Sequence, residues 1–362
     1  MKHILFPILF GLSASAVAQY SHPEEARQGS LTILPVYRSW SDDDRTDLSQ
    51  FGTAILVEYP FSRDLRFSLR GGLANTSGDV TQLNGFTDTQ FGVSYHIESA
   101  NILLVLGLNI PSGKRKLTQD EFETDTLVSK EVFDFLVPRY GQGLNVSPAV
   151  VWAIPITDQI VLGFGAAFQY MGPYRPLLGY NEYDPGEERM ISGGAEFRLD
   201  DASSLSADAV FSTYGVDELE GSEVYQAGDK VVASIRYQRF FEYNELSFLI
   251  RYRKRSDGKI SLSDVLINAP ERPNPDVTEI SGQYRLRLNN RFTLGILLEA
   301  KYFQETASDL SGLTLLGAGL TPEFRLSSNV HILATSRFQR GGLSDGMALS
   351  GWEIGVGLAV RF

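Results

Sequence analysis

The sequence predicts an all-β chain: a transmembrane antiparallel up-and-down β-barrel of about sixteen strands. Three observations predict it. The last eleven residues alternate between apolar and small or charged side chains, polar connections alternate short and long along the chain, and the N-terminus reads as an export signal.

The terminal stretch is the clearest element. From Trp352 to Phe362 every even position is large and apolar, and every odd position is small or charged. Successive side chains of a strand point to opposite faces, so this is a strand with one oily face and one polar face. The same period of two runs through Glu245 to Arg253, Ile280 to Leu288, Phe292 to Tyr302 and Val330 to Phe338. A strand of this kind ending on an aromatic residue resembles the C-terminal signature of bacterial outer-membrane barrels. That resemblance implies the barrel-assembly machinery as a partner, through the strand ending at Phe362.

The connections give the count. Short polar turns are expected at 62–64, 98–101, 157–159, 200–204, 242–244, 289–291 and 327–329. Longer polar loops fall between them, at 41–50, 76–86, 114–145, 174–189, 213–229, 255–278, 305–313 and 340–349. Tight turns on one rim and longer loops on the other are the asymmetry of a membrane barrel. Seven short and eight long connections make fifteen, hence sixteen strands, with both termini on the periplasmic side. Leu31 to Trp40 alternates least and contains Pro35; with that strand outside the barrel, the count is fourteen.

At the N-terminus, Lys2 and His3 precede an apolar run from Ile4 to Leu12, and Ala16-Val17-Ala18 is a small-x-small cleavage site. The run is too short to span a bilayer, so residues 1–18 read as a secretory signal peptide. Residues 19–30 are then a short periplasmic segment and 31–362 the barrel. The localisation that follows is the cell outer membrane, with its lipid and lipopolysaccharide as surroundings.

Composition agrees. The 362 residues include 22 Phe, 16 Tyr and 34 Gly, the palette of a strand-and-turn protein. There is no Cys, which excludes a lipobox and any Cys-built metal site. A net charge of −12 argues against nucleic-acid binding, which needs a basic footprint. Mean hydropathy is only −0.10, but a barrel hides its lipid face by alternation. On the oily parity, Tyr59, Phe67, Tyr95, Tyr237, Phe292, Phe324 and Phe362 fall near short turns. Tyr37, Phe51, Tyr170, Phe211, Tyr252, Tyr302 and Trp352 fall near long loops. Two aromatic girdles are what membrane interfaces favour.

The opposite parity faces the lumen. It carries Arg66, Arg70, Arg198, Arg236, Arg251, Arg253, Arg285, Arg287, Lys301, Arg325, Arg337 and Arg361, with fewer acids: Glu58, Glu196, Asp208, Glu245, Glu299, Glu323 and Glu353. Charge at this density is either wet or internally paired, because an unpaired buried charge costs several kcal/mol. Arg236, Arg251, Arg253, Arg285 and Arg287 lie on adjacent strands and predict a positive stripe along one wall. With Glu299, Arg325 and Arg337 they are the candidate permeant-binding residues. The longest loop, 114–145, is the candidate constriction, with Asp120, Glu121, Glu123 and Asp125 followed by the apolar Phe133 and Phe135. An outward loop resting on the rim is the alternative.

Three stretches resemble the outer-membrane transporter family associated with the meta-pathway of phenol degradation, a distant relative of long-chain fatty-acid barrels. They are Asn84 to Tyr95, Gly107 to Gly113 with Pro111-Ser112-Gly113 at its end, and Gly141-Gln142-Gly143 leading to Ser147-Pro148. The resemblance covers roughly 84–156 and implies uptake of small, often hydrophobic compounds. It supplies no catalytic residues. Unlike fatty-acid barrels, this chain has no long N-terminal plug.

Searches for chemistry end without a site. His96 and His331 share the inward parity with Ser68 and Ser94, but a hydrolase needs nucleophile, base and acid within hydrogen-bond reach, which spacing does not supply. Asp42-Asp43-Asp44 lacks the interleaving and glycine of a calcium loop. Gly71-Gly72 and Gly193-Gly194 lie inside strands and read as close packing, not phosphate loops. The sequence therefore predicts no enzyme, metal or cofactor. It predicts a channel or transporter for small solutes, with a structural or docking barrel as the alternative and a barrel hydrolase behind both.

Overall fold

A computed structural model describes residues 28–43, 47–179, 182–262, 265–268, 275–306, 312–342 and 347–362. The expected export signal at 1–18 lies outside the described residues, as does most of 19–30.

Sixteen long strands run in chain order around one sheet: β1 (Ser30–Asp42), β2 (Asp47–Pro60), β3 (Leu65–Gly78), β4 (Thr89–Ile97), β5 (Ile102–Ile110), β6 (Asn145–Pro155), β7 (Ile160–Met171), β8 (Glu188–Arg198), β9 (Ser203–Tyr214), β10 (Lys230–Phe240), β11 (Asn244–Arg255), β12 (Val277–Arg287), β13 (Phe292–Phe303), β14 (Thr314–Arg325), β15 (Val330–Gly342) and β16 (Ala348–Arg361). Each pairs antiparallel with the next, and β16 pairs with β1, which closes the barrel. Closure leaves no strand edge with unpaired amides, the condition for placing a sheet in lipid. A short strand, Leu83–Phe86, continues β3's pairing above β4.

Pro35 is inside the ring, so the count is sixteen. The ladder accommodates it by a gap. Pairing of β1 with β16 passes from Ile33↔Leu358 to Val36↔Gly355, skipping the proline, which has no N–H to give. Pro322 and Pro148 do the same, between Leu320↔Ser336 and Glu323↔Leu333, and between Val146↔Tyr170 and Ala149↔Ala167.

The outward face is apolar and uncovered. Ile191, Leu298 and Leu316 are each about 62 % exposed, among a band of exposed Leu, Ile and Val. Tyr37, Phe51, Tyr170, Phe211, Tyr252, Tyr302 and Trp352 are exposed toward the long-loop rim; Tyr59, Phe67, Tyr95, Phe324 and Phe362 are exposed toward the other. Such area left in water would cost about 25 cal/mol per Å², so it needs an apolar surround.

The seven short turns stand where the polar clusters placed them. Two long loops are shorter than expected. β1 and β2 are joined by 43–46 rather than 41–50, and β15 and β16 by 343–347 rather than 340–349. The strands grow past their sequence limits because their inward ends, Trp40, Leu48 and Leu349, are buried in one cluster. Above the rim, short strands Tyr183–Asp184, Val216–Leu219, Ser222–Gln226, Lys259–Leu262 and Val265–Asn268 form a separate five-stranded sheet from three long loops.

Candidate functional site in the barrel interior

The interior is organised by the segment between β5 and β6. It begins and ends at one carboxylate. Asp88, buried before β4, accepts from Asn109 Nδ2 at 2.9 Å, from the Gly113 N–H at 2.8 Å and from the Gln142 N–H at 2.7 Å. Asn109 Nδ2 also donates to the Gly143 carbonyl at 2.8 Å. The three stretches that carried the family resemblance thus meet at one clamp that ties both ends of the loop to β4 and β5. A Cβ at Gly113 would lie 2.1 Å from the Tyr140 carbonyl, so only glycine fits the crossing.

Past the clamp the chain forms helix α1 (Gln119–Val128). Its N-terminus is a capping box: Thr118 accepts from the Glu121 N–H, and Glu121 accepts from the Thr118 N–H. Burial opposes ionisation of Glu121, but the Lys114 ammonium at 2.6 Å and the Thr118 N–H hold its carboxyl below the usual range. Burial pushes the Asp125 carboxyl up, against the pull of Arg139 and the Tyr140 N–H. Asp120 and Glu123 are exposed. Of the four acids expected at a constriction, Glu121 caps the helix, Asp125 braces the loop, and Asp120 and Glu123 stay exposed on α1. For Glu121 a sequence signal existed: Thr118-x-x-Glu121 is the spacing of a capping box.

The aromatic part of the segment behaves differently. Phe133 and Phe135 are buried with Val128 and Val132 against Trp40 of β1, Leu48 of β2, Val277 of β12, Phe303 of β13, Leu315 of β14 and Leu349 of β16. Trp40 and Phe133 meet edge to face at 5.9 Å, and Trp40 Nε1 donates to the Phe133 carbonyl at 2.8 Å. Gly351 leaves the space that the Trp40 ring fills; a Cβ there would lie 2.7 Å from it. Backbone is tied too. Gln50 of β2 both donates to the Val137 carbonyl and accepts from the Val137 N–H, each at 2.9 Å. The Tyr140 hydroxyl donates to the Leu83 carbonyl at 3.0 Å and lies 2.9 Å from the Thr76 hydroxyl. Burial pushes the Tyr140 phenol up to about 12.

Between the aromatics stands Asp134. Its backbone is left-handed, φ 48°, a conformation that Asp tolerates better than most residues. Its carboxylate lies 3.4 Å from Arg38, 3.4 Å from Lys301 and 3.1 Å from Arg337. Arg38 also pairs with Glu353, and Arg337 with Glu299 at 3.3 Å and Glu353 at 3.0 Å. Three cations and three carboxylates from β1, β13, β15, β16 and the loop thus neutralise one another, and each side chain is nearly buried. Glu131 reaches further round the wall to Arg253 of β11.

The predicted arginine stripe is on the inward face but is largely partnered. Arg251 pairs with Glu279 at 3.3 Å, Arg253 with Glu131, and Arg285 with Glu323 at 3.0 Å; Arg287 donates to Asn290 at 3.3 Å. Arg325 donates to the Ser327 carbonyl at 3.2 Å near the short-turn rim. Arg236 makes no ion pair among the described residues. His331 lies against Glu323 at 2.7 Å on β15, away from His96 on β4. The residues that sequence reasoning passed over are Arg38, Trp40, Gln50, Asp88, Asp134 and Tyr140. For Arg38 and Trp40 a signal existed: they alternate with the outward Tyr37. Asp88 lay within the Asn84 to Tyr95 stretch of the resemblance; for Asp134 and Tyr140 there was none, because no periodicity governs a segment without regular pairing.

No family model matches the chain, and no curated protein matches it. Among solved structures it is similar to the CymD monoaromatic hydrocarbon channel, at 8 % identity and a TM-score of 0.49 over 93 % of this chain and 89 % of that one. It is also similar to mutants of Rhodopseudomonas blastica porin. One triple mutant aligns at 12 % identity and a TM-score of 0.38, over 92 % of this chain and all of the other. The barrel assignment stands on the strand pairings themselves.

Proposed function

We propose that this chain is an outer-membrane channel for small solutes, with both termini periplasmic and the segment 114–145 narrowing its lumen. The observation that carries this is the arc of wall, β8 to β10, that the segment leaves without an anchor among the described residues. Its polar anchors run from β11 through β13 and β15 to β1, β2 and β3, and the Asp88 clamp extends them to β4 and β5, while β8, β9 and β10 carry none among the described residues. Rings of this size leave an aqueous channel where eight strands would be filled by side chains. The inward faces of β8, β9 and β10 carry Ser192, Gly194, Ser206, Asp208, Ser234 and Arg236, which are small or polar groups suited to wet passage. The exposed apolar exterior supports a lipid surround. The resemblance of 84–156 to a transporter family of small hydrophobic compounds points the same way.

The test is single-channel conductance of the refolded mature chain in a planar bilayer. Stable conductance that rises when 118–136 is deleted supports a channel narrowed by the loop. Equal conductance in both forms removes the narrowing role. A second reading has its own support in the neutralised cluster around Asp134: a structural barrel with an occluded, salt-bridged lumen. Folded protein without conductance favours that reading.

A further inference from the structure

Parity places the cations on the inward face as either wet or paired, and the structure divides them. On β1 and β11–β16, Arg38, Arg251, Arg253, Arg285, Lys301 and Arg337 each face a carboxylate within ion-pair distance. A paired guanidinium presents little net field to a passing solute. The field that remains comes from inward cations with no such partner.

Two stand out. Arg70 is on β3, opposite Leu56 of β2 and Gln90 of β4, and among the described residues it makes no ion pair or side-chain hydrogen bond. Its inward neighbours along β3 and β4 are the small Ser68, Gly72 and Gly92, and Glu58 of β2, opposite Ser68, makes no ion pair with it. Arg236 is on β10, opposite Ser206 of β9 and Leu249 of β11. Asp208 is one inward step away, but its carboxylate accepts from the Ser234 hydroxyl at 2.7 Å rather than pairing with Arg236. Arg70 is five residues from the short-turn end of its strand and Arg236 four from the end of its own, so the two sit at similar depth. β3 and β10 are seven strands apart in a ring of sixteen, nearly opposite each other. Both lie nearer the short turns than Thr76 and Lys301, where the segment 114–145 is anchored.

We propose that Arg70 and Arg236 form the anion-selective level of this lumen and that the solutes they favour are small carboxylates. The proposal rests on the channel reading. A guanidinium presents a planar fork of donors that matches a carboxylate two by two, and stays charged at any working pH. Two such groups on opposite walls attract anions without binding one tightly, since no single carboxylate bridges both. The stripe at Arg251 and Arg285, already occupied by Glu279 and Glu323, contributes structure rather than selectivity.

Two measurements test this. The first is the reversal potential under a potassium acetate gradient, for the wild type, Arg70→Gln, Arg236→Gln and Arg251→Gln. Loss of one unscreened unit charge is worth about five-fold in the ratio of acetate to potassium permeability, the factor for a charge contact in water. Arg70→Gln and Arg236→Gln should each lower the ratio by about that factor, and Arg251→Gln by less. Equal shifts in all three, or the largest in Arg251→Gln, overturn the proposal. The second uses folded protein in detergent and needs no conduction. Phenylglyoxal labelling read by mass spectrometry should modify Arg70 and Arg236 faster than Arg251, Arg285 and Arg337, with acetate slowing the first two. Absent conductance with this labelling pattern removes the channel and keeps the paired site; uniform labelling removes the site whether or not the barrel conducts.

Discussion

The wall of β13–β16 with β1 and the wall of β8–β10 are made by the same alternation, and they end up with opposite characters. On the first, Arg38, Lys301 and Arg337 meet Glu299, Glu353 and the loop's Asp134, beside a dry cluster of Trp40, Phe133, Phe135 and Phe303. On the second, Lys230 pairs with Glu188 at 3.0 Å at the long-loop end, but deeper in, Asp208 is satisfied by a serine and Arg236 has no carboxylate partner among the described residues. The difference is not in the strands. It is the segment 114–145, which reaches the first wall but not the second and whose Asp134 turns the charges of the first into a scaffold. A charge on an inward parity is therefore a permeant contact or a brace according to the carboxylate that a neighbouring strand, as at Arg251 and Arg285, or a distant loop, as at Arg38 and Lys301, brings to it.

Removing the loop is the strongest way to break this contrast. Deleting 118–136 takes away Phe133, Phe135 and Asp134 together, leaving Trp40 and Phe303 uncovered and three cations short of one carboxylate. Conductance should rise and thermal resistance, read as heat-modifiable gel mobility, should fall by the largest amount of any change considered. Asp134→Asn is the sharper version. Breaking a buried pair by removing one partner costs about 3–5 kcal/mol, because the opposite charge is left behind. Urea unfolding in detergent should show a loss of that order. A loss no larger than for a surface change would mean that Arg38, Lys301 and Arg337 are satisfied without the loop.

Gln50→Ala removes both hydrogen bonds to Val137 and leaves its buried N–H and carbonyl unmet, a loss of about 1–3 kcal/mol. Protease cleavage within 118–140 should speed up accordingly while the strands stay intact. Tyr140 gives a pH signature. Its folded value, about 12, is above the unfolded value near 10. Its contribution is complete below about 10 and is lost as pH rises through about 12. Tyr140→Phe should flatten that alkaline loss; an unchanged profile would assign it elsewhere. The smallest effect belongs to Asp120→Asn and Glu123→Gln, exposed on α1, which should leave stability and conductance where they were.

How much was legible follows from the period of two. It located every short turn, all sixteen strands and the inward sign of Arg251, Arg285 and Arg337, because lipid on one side and water on the other impose a pattern residue by residue. It underestimated β1, β2, β15 and β16 at the long-loop rim. Their last residues are held by Phe133 and Phe135, more than 80 positions away from Trp40 and Leu48. It did not single out Glu121 as a helix cap, and it passed over Asp134, which does the pairing.

By itself, then, the sequence determined a closed barrel, its strand number, its oily exterior and its charged interior, because each of these is a local response to solvent repeated along the chain. Only the tertiary structure decided which inward charges are spent on one another. That depends on where Asp88 clamps the longest loop and on which wall Gln50 and Trp40 draw it to, and those are contacts between residues with no common period.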